Sequence, residues 1–375
     1  LNLGRQGNPR ILSQTRPLVR SPLWRPYARL APRRALRKSI GNSENMWKRI
    51  ILWSLCALLS VVLIGAAWAV LRKPAAAPPK DIAVLATPER LERGGYLFNY
   101  LSDCNGCHSD RDYSLLGAPV KPGRVGVGFV MPDELGLPGR VVAPNLTPDP
   151  ETGLGKWTDG EIIRAIREGV DREGNALFPF MPYPHFRHMS DEDVEALVAY
   201  MRTLKPVRNP LPRTELALPV ALMIKSAPQP VEGVVKAPVK SDKHAYGKYL
   251  VEIGGCMDCH TKQEHGQPVA GMELAGGFEF RMPQGVVVSA NITPDVETGI
   301  GSWTEDGFVS RFRQYSEMAK AGGPPVTAET FTIMPWLATS QLTDEDLRAI
   351  YQYLHTVKPV SQRVRTHPDA GSSQR

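Results

Sequence analysis

Two stretches of this chain place a pair of cysteines three positions apart, with a histidine directly after the second cysteine. The first reads Cys-Asn-Gly-Cys-His from residue 104, and the second reads Cys-Met-Asp-Cys-His from residue 256. Such a run attaches haem covalently, because the two thiols add to the haem vinyl groups and the adjacent histidine binds the iron. The sequence therefore predicts two c-type haem sites, built by Cys104, Cys107 and His108 and by Cys256, Cys259 and His260.

Other uses of paired cysteines fit these residues less well. A thioredoxin-like redox pair needs no following histidine and belongs on a βαβ pattern, which the flanking sequence lacks. A structural zinc site needs its cysteine pairs close together in one fold unit, whereas these pairs lie about 150 residues apart. Disulfides would leave both histidines unexplained. The fifth cysteine, Cys56, lies in an apolar stretch and is expected to be inert.

The repetition extends well beyond the two cysteine runs. Asn-Leu-Thr-Pro-Asp at 145–149, followed by Glu-Thr-Gly-Leu-Gly and Trp-Thr, returns at 291–295 with Glu-Thr-Gly-Ile-Gly and Trp-Thr after it. Ser-Asp-Glu-Asp at 190–193 returns as Thr-Asp-Glu-Asp at 343–346, and each opens an amphipathic run. Self-similarity over this length indicates two tandem domains of the same fold.

Each haem iron also needs a residue for its sixth coordination position. Met181 stands 73 residues after His108 and Met334 stands 74 residues after His260, and each is followed by proline and an aromatic residue. A thioether is a soft, neutral ligand that favours reduced iron and closes the sixth position. We therefore predict that His108 and Met181 bind the first iron and that His260 and Met334 bind the second.

Two other groups of residues compete for the sixth position. Met131 and Met282 also recur in both copies, each before a proline, although packing beside the haem is the simpler role for them. Three histidines have no counterpart in the other copy and are expected to be exposed polar side chains. These are His185, His188 and His265.

The remaining pattern is mainly helical. Helices are predicted at 89–101 and 244–253, ahead of the haem runs, and Thr158 with Glu161 reads as a capping box for a helix that follows the repeated Trp-Thr. Ser190 and Thr343 are expected to cap the last helix of each domain. The predicted fold class is mainly α, with tandem domains at 80–208 and 243–362, a proline-rich linker at 209–242 and a disordered tail at 363–375.

The N-terminal region carries a membrane signal. Residues 50–71 contain no charged residue and are long enough, at about 1.5 Å per residue, to span a bilayer core. This run exceeds the usual apolar core of a cleaved signal peptide, so a signal anchor at 46–73 is favoured over cleavage. Both alternatives place the haem domains outside the cytoplasm. A retained anchor would hold them at a bacterial inner membrane, and a cleaved signal peptide would leave them soluble in the periplasm.

Residues 1–45 differ from the rest of the chain. They hold ten Lys or Arg and one acid, although the whole chain has a net charge of only +7. The exported domains are therefore acidic, which suits a basic protein partner. We expect residues 1–45 to be a disordered cytoplasmic tail or an upstream extension, with no specific nucleic-acid binding.

These residues resemble class I cytochrome c domains, over about 85–208 and 243–361. The closest likeness is to the cytochrome c subunits of bacterial membrane-bound alcohol and gluconate dehydrogenases, on the basis of the haem runs, the repeated Asn-Leu/Ile-Thr-Pro-Asp segments and Met181-Pro-Tyr-Pro. The resemblance implies that Met181 and, with tryptophan replacing tyrosine, Met334 are the sixth ligands. Those subunits usually carry three haem runs, and this chain has two.

The resemblance implies an electron carrier without chemistry of its own. Its partners would be a dehydrogenase or quinol-linked donor and a soluble cytochrome or terminal oxidase. The alternative is a dihaem enzyme, a peroxidase or a thiosulfate-oxidising cytochrome, with one open iron. One inequality between the copies favours that alternative, because residues 317–330 lengthen the loop before Met334.

Overall fold

A computed structural model describes residues 34–264 and 266–368. The chain divides into two compact units, residues 1–67 and 68–375. The expectations for residues 1–33, His265 and residues 369–375 lie outside the described residues. The second unit contains both haem runs, and its structure is what positions the candidate sites.

The elements of the described residues are mostly short helices separated by long loops. Four two-stranded antiparallel ribbons, β1 with β3, β2 with β4, β5 with β6 and β7 with β8, complete the secondary structure described here. The α-helices are α1 Arg34–Leu71, α2 Pro88–Tyr96, α3 Cys104–His108, α4 Asp159–Glu168, α5 Tyr183–Phe186, α6 Asp191–Thr203, α7 Val220–Met223, α8 Lys243–Ile253, α9 Cys256–His260, α10 Glu305–Arg313, α11 Ser316–Ala321, α12 Trp336–Thr339 and α13 Asp344–Leu354. The strands are β1 Phe129–Val130, β2 Gly139–Arg140, β3 Val142–Ala143, β4 Glu215–Leu216, β5 Gln263–Glu264, β6 Gln267–Pro268, β7 Glu279–Met282 and β8 Gly285–Val288.

Within the described part of the chain, one helical stretch is long and apolar enough to cross a membrane. It is Asn45–Leu71, the C-terminal part of α1, and its side chains are exposed. The length and composition fit the predicted anchor at 46–73.

The predicted helix starts are confirmed. Thr158 accepts the N–H of Glu161 at 3.2 Å while the Glu161 carboxylate accepts the N–H of Thr158 at 2.8 Å, which is a complete capping box. Ser190 and Thr343 accept the N–H groups of Asp193 and Asp346, each at 3.1 Å. These side chains satisfy helix N–H groups that have no intrahelical partner, so each helix begins where the sequence indicates.

The first predicted helix, 89–101, is present, but it is not α-helical along its whole length. It is α-helical to Tyr96 and then widens into a π-helical turn, Leu97–Leu101. The Asn99 amide donates to the Gly95 carbonyl at 2.8 Å and so competes for the acceptor that an α-helical N–H would use. The turn buries Leu97, Phe98 and Leu101 directly ahead of the first haem run.

The first helix of each haem domain packs on the last helix of the same domain through a glycine. A Cβ at Gly94 would lie 2.0 Å from the Ala196 carbonyl oxygen, and a Cβ at Gly247 would lie 2.0 Å from that of Ala349. Only a residue without a side chain allows helix backbones to approach this closely.

Replacing Gly94 by alanine is therefore expected to lower the free energy of unfolding by about 2 kcal/mol, because α2 must move away from α6. Urea denaturation of the haem-loaded protein measures the change. Gly95→Ala is the control, since its Cβ would meet the Tyr200 ring at 3.0 Å, and a side chain can move aside. Equal losses for the two variants would contradict this account of the helix contact.

The linker lies along the first haem domain. Val231 N–H donates to the Glu168 carboxylate at 3.0 Å, and Asp191 N–H donates to the Val235 carbonyl at 2.9 Å. Glu168 is buried, and its other oxygen accepts the Ala77 N–H at 2.8 Å. One carboxylate thus holds both the segment that enters the domain and the segment that leaves it.

The two haem domains meet through reciprocal contacts. The Tyr96 hydroxyl of the first domain donates to Asp346 of the second at 2.6 Å, and Tyr249, at the matching position, donates to Asp193 of the first at 2.7 Å. Each hydroxyl also accepts a backbone N–H at the start of the same partner helix. Because residues at matching positions exchange partners, the domains are related by an approximate twofold axis.

The longer loop of the second domain contributes to this interface. It forms α11 and then crosses to the first domain, where Leu116 N–H donates to the Pro324 carbonyl at 2.8 Å and Val326 N–H donates to the Ser114 carbonyl at 2.9 Å. Gly323 lies so close that a Cβ there would be 2.4 Å from the Leu116 oxygen. The longer loop, which distinguishes the second copy from the first, therefore joins the two domains.

Candidate haem sites

Each haem run forms one short helix that begins after a residue in the left-handed region. This residue is Asp103, with φ 43°, before α3 and Gly255, with φ 64°, before α9. Left-handed backbone costs a glycine nothing but is unusual for other residues, although aspartate tolerates it better than most. The turn brings both cysteines and the histidine onto one short helix in each domain.

The surroundings of the cysteine side chains disfavour the thiolate form. Burial raises the pKa of Cys104 to about 12 and the pKa of Cys256 to about 12. Redox-active cysteine pairs instead depend on a lowered thiol pKa, so the environment here is unsuited to thiol–disulfide chemistry. None of the described cysteines is in a disulfide, and no group of three His, Cys, Asp or Glu among the described residues has metal-site geometry. The thiols therefore remain available for thioether bonds.

Both histidines are oriented by a backbone carbonyl. Nδ1 of His108 lies 2.8 Å from the Pro144 oxygen, and Nδ1 of His260 lies 2.7 Å from the Ala290 oxygen. A carbonyl can only accept, so Nδ1 carries the proton and Nε2 keeps its lone pair for iron. Burial lowers the pKa of both imidazoles, which favours the neutral form that a metal requires. This arrangement fits haem iron in both domains.

The two accepting carbonyls were not predicted from the sequence. Pro144 and Ala290 directly precede the repeated Asn-Leu/Ile-Thr-Pro-Asp segment. In that segment the Asn145 side chain accepts the Thr147 N–H and the Asn291 side chain accepts the Thr293 N–H, both at 2.9 Å. Through these bonds the asparagines organise the loop, which in turn holds the residue that orients the histidine.

The Asp103 carboxyl occupies a crowded position beside the first attachment helix. A Cβ at Gly106 would lie 2.2 Å from its Oδ2, so a larger residue at 106 would have to displace the Asp103 side chain. Burial raises the pKa of Asp103 to about 6, and the nearby Arg111 guanidinium opposes that shift. Ionised Asp103 therefore destabilises the folded protein at neutral pH.

Asp103→Asn is accordingly expected to stabilise the haem-loaded protein by about 3 kcal/mol at pH 8, because the pKa of Asp103 is raised from 3.8 to about 6 and each pKa unit corresponds to about 1.36 kcal/mol. The gain should shrink as pH falls through 6 and vanish near pH 4, where the native carboxyl is already protonated. Thermal and urea denaturation across this range measure it. Asp112→Asn, on a partly exposed loop, should give no gain at pH 8; a gain that is constant with pH would contradict the assignment to Asp103.

The two methionines predicted to be sixth ligands occupy matching positions in the two domains. Met181 and Met334 lie two residues before the start of α5 and α12, and both pack against the hydrophobic cluster that Cys104 and Cys256 also contact. The rival residues do not join that cluster: Met131 lies beside a short strand, and Met282 ends β7 at a hairpin turn. Assignment of Met181 and Met334 as ligands stays a prediction, and this packing supports it.

Another methionine, Met189, is completely buried. Leu342 stands at the matching position of the second domain and is buried to nearly the same degree. A leucine cannot bind iron, so the position serves the core of each domain.

The unpaired histidines differ from one another. His188 is exposed, as expected. His185 is not simply exposed, because its Nε2 lies 3.0 Å from Asp258 in the second haem run. The sequence could not reveal this contact because the two residues belong to different domains.

The two attachment helices lie near each other across the domain interface. Burial and Asp258 are the main causes that raise the pKa of Cys259 to about 12, and the Cys107 thiol of the first domain adds to them. A Cβ at Gly254 would lie 3.4 Å from the Leu101 side chain, so the chain entering one haem run contacts the chain entering the other. The two candidate haem sites thus belong to one compact unit.

Comparison with known proteins shows the family of this chain. The sequence matches the family described as Cytochrome c over residues 91–205 and again over residues 244–358. The chain belongs to the cytochrome c family. It is a tandem dihaem member with two covalently bound haem c groups, as its haem runs predicted.

Three relatives represent the proteins that this chain resembles. The diheme cytochrome c-type protein of Cereibacter sphaeroides is 32% identical over 82% of this chain and 99% of its own length. The cytochrome c subunit of the quinone alcohol dehydrogenase of Gluconacetobacter polyoxogenes is 30% identical over 80% of this chain, and that of the gluconate 2-dehydrogenase of Pantoea cypripedii is 29% identical over 74%. The chain spans 62% of the length of each dehydrogenase subunit.

Proposed function

We propose that this protein is an electron carrier of a membrane-linked respiratory chain. It would accept electrons from a dehydrogenase or a quinol-linked donor and deliver them to a cytochrome or terminal oxidase. When bound, the haem irons supply one-electron oxidation and reduction. The observation that carries the proposal is the equivalence of the two sites, each with an imidazole Nε2 left free by a carbonyl bond and a methionine against the core.

A dehydrogenase is the favoured donor because several relatives are named as cytochrome subunits of alcohol, gluconate and fructose dehydrogenases. The acidic character of the exported domains suits a basic docking surface on the acceptor, and such a contact should weaken with added salt.

We propose the inner membrane as the location, with the haem domains in the periplasm, because Asn45–Leu71 has the length and composition of an anchor.

The second candidate is a dihaem enzyme with one open iron. The longer loop before Met334 was the observation in its favour, since such a loop could displace the ligand. In the described structure this loop hydrogen-bonds to the first domain through Pro324 and Val326, so its length has a structural use. We therefore favour the carrier.

Optical redox titration of the full chain, in detergent and with or without carbon monoxide, separates the two functions. A carrier with two methionine-bound irons should show two low-spin haems, neither of which binds the gas. One haem that binds carbon monoxide stoichiometrically would contradict the carrier and direct attention to peroxide and sulfur substrates.

A further inference from the structure

One charged contact breaks the reciprocal pattern of the domain interface. Asp258, between the two cysteines of the second haem run, faces His185 of the first domain, with 3.0 Å between Oδ1 and Nε2. In the repeat, Gly106 of the first haem run matches Asp258, and Ala338 of the second domain matches His185. Neither Gly106 nor Ala338 carries a charge. The contact therefore exists at the second haem run and has no counterpart at the first.

The local environment makes Asp258 dependent on this histidine. The second carboxylate oxygen, Oδ2, is buried and has no hydrogen-bond partner among the described residues. The aspartate charge contributes to raising the pKa of both Cys256 and Cys259, so its field reaches the haem attachment points. An unscreened carboxylate at this place would stabilise oxidised iron, which carries the extra positive charge.

His185 is held so that its charge opposes that of Asp258. It lies on α5, four residues after Met181, and α5 packs against α8 of the second domain. The hydrogen bond to Asp258 raises the pKa of His185, with a smaller contribution from Glu252. Below the ordinary pKa of about 6.5 the imidazole is thus protonated and forms an ion pair.

We propose that His185 of the first domain sets the potential of the second haem, by balancing Asp258 beside the haem attachment helix. It is a positioning residue that acts through Asp258 and does not bind iron. The two haem sites therefore differ in their surrounding charge although their predicted iron ligands match. The potential of the second haem depends on a side chain of the first domain, whereas no described charged side chain of the second domain acts in the same way on the first haem. This inference rests on His260 as the ligand of the second iron and does not depend on what the protein's partners are.

The test is a spectroelectrochemical titration of the full haem-loaded chain at pH 6, with each haem followed separately. Met334→His identifies the second haem, because a second imidazole lowers the potential of that haem alone. His185→Ala should lower the potential of the second haem, raising its ratio of oxidised to reduced form by up to about tenfold at a fixed electrode potential, or 59 mV. The first haem should shift much less.

Three further variants distinguish charge from structure. His185→Lys should retain most of the native potential, and the double variant His185→Ala with Asp258→Asn should restore it, because neither leaves Asp258 unbalanced. His188→Asn, on the exposed neighbour, is the matched control and should change nothing. If His185→Ala proves poorly folded, Asp258→Asn alone still tests the idea, since it must not lower the second potential.

Several outcomes would overturn the proposal. These are equal shifts of both haems in His185→Ala, no shift of either haem, or a double variant whose potential is as low as that of His185→Ala. Failure of the carrier role is a separate result, because carbon monoxide binding reports on the sixth ligand and not on this ion pair.

Discussion

Met334→Ala is expected to convert the second haem into a five-coordinate centre that binds carbon monoxide, while the first haem stays closed. We predict the Met334 thioether as the sixth ligand, and an alanine side chain has no donor atom to replace it. We expect bound carbon monoxide to rise from near zero to about one per protein, measured by absorbance of the reduced form. Met181→Ala should give the same result at the first haem.

The matched controls are Met282→Ala and Met131→Ala. Both residues recur in the two copies, yet neither packs with the cluster that contains Met181 and Met334. These variants should leave both irons closed. Gas binding in Met282→Ala but not in Met334→Ala would transfer the ligand role to the hairpin methionine and would contradict the assignment of Met334.

Arg93→Met is expected to cost about 3 kcal/mol of folding free energy, because it leaves Asp193 as a buried charge without a cation. Arg93 donates two hydrogen bonds to Asp193, at 2.8 and 2.7 Å, and the aspartate is buried at the domain interface. The Tyr249 hydroxyl, from the second domain, remains as a neutral donor and cannot balance the charge. Urea denaturation of the haem-loaded protein measures the loss.

Arg90→Met is the control for this prediction. Arg90 forms an ion pair with Glu195 on the same pair of helices, but that pair is more open to solvent, so its loss should cost less than about 1 kcal/mol. The double variant Arg93→Met with Asp193→Asn should recover much of the stability, since the buried charge is gone. Equal destabilisation by Arg90→Met and Arg93→Met would mean that burial of Asp193 is not the cause.

Much of each haem site could be read from the chain because its chemistry is local in sequence. The cysteines and histidine of a haem run fall on one short helix, so their spacing alone predicts the cofactor. The helix caps at Thr158, Ser190 and Thr343 were predicted for the same reason, since each bonds to an N–H three residues away. The methionines required the repeat, which places Met181 and Met334 at nearly equal spacing from the two histidines.

The sequence did not reveal how the two domains are arranged. Tyr96 and Tyr249 were visible as repeated residues, but their exchange of partners depends on a twofold relation that no local pattern encodes. The longer loop before Met334 was an inequality that favoured an enzyme, and in the structure it links the two domains. His185 was expected to be an exposed side chain, because its partner lies 73 residues further along the chain.

The sequence by itself determined the cofactor, its two attachment sites and the repeated fold, because covalent haem attachment needs particular residues at fixed short spacing. Only the tertiary structure decided that the haem sites are neighbours in one unit and that their surroundings differ in charge. Those properties depend on contacts such as His185 with Asp258 and Arg93 with Asp193, in which burial and distance set the energy. His185 and Asp258 come together only when the two domains pack, and Arg93 and Asp193 only when the first and last helices of one domain pack.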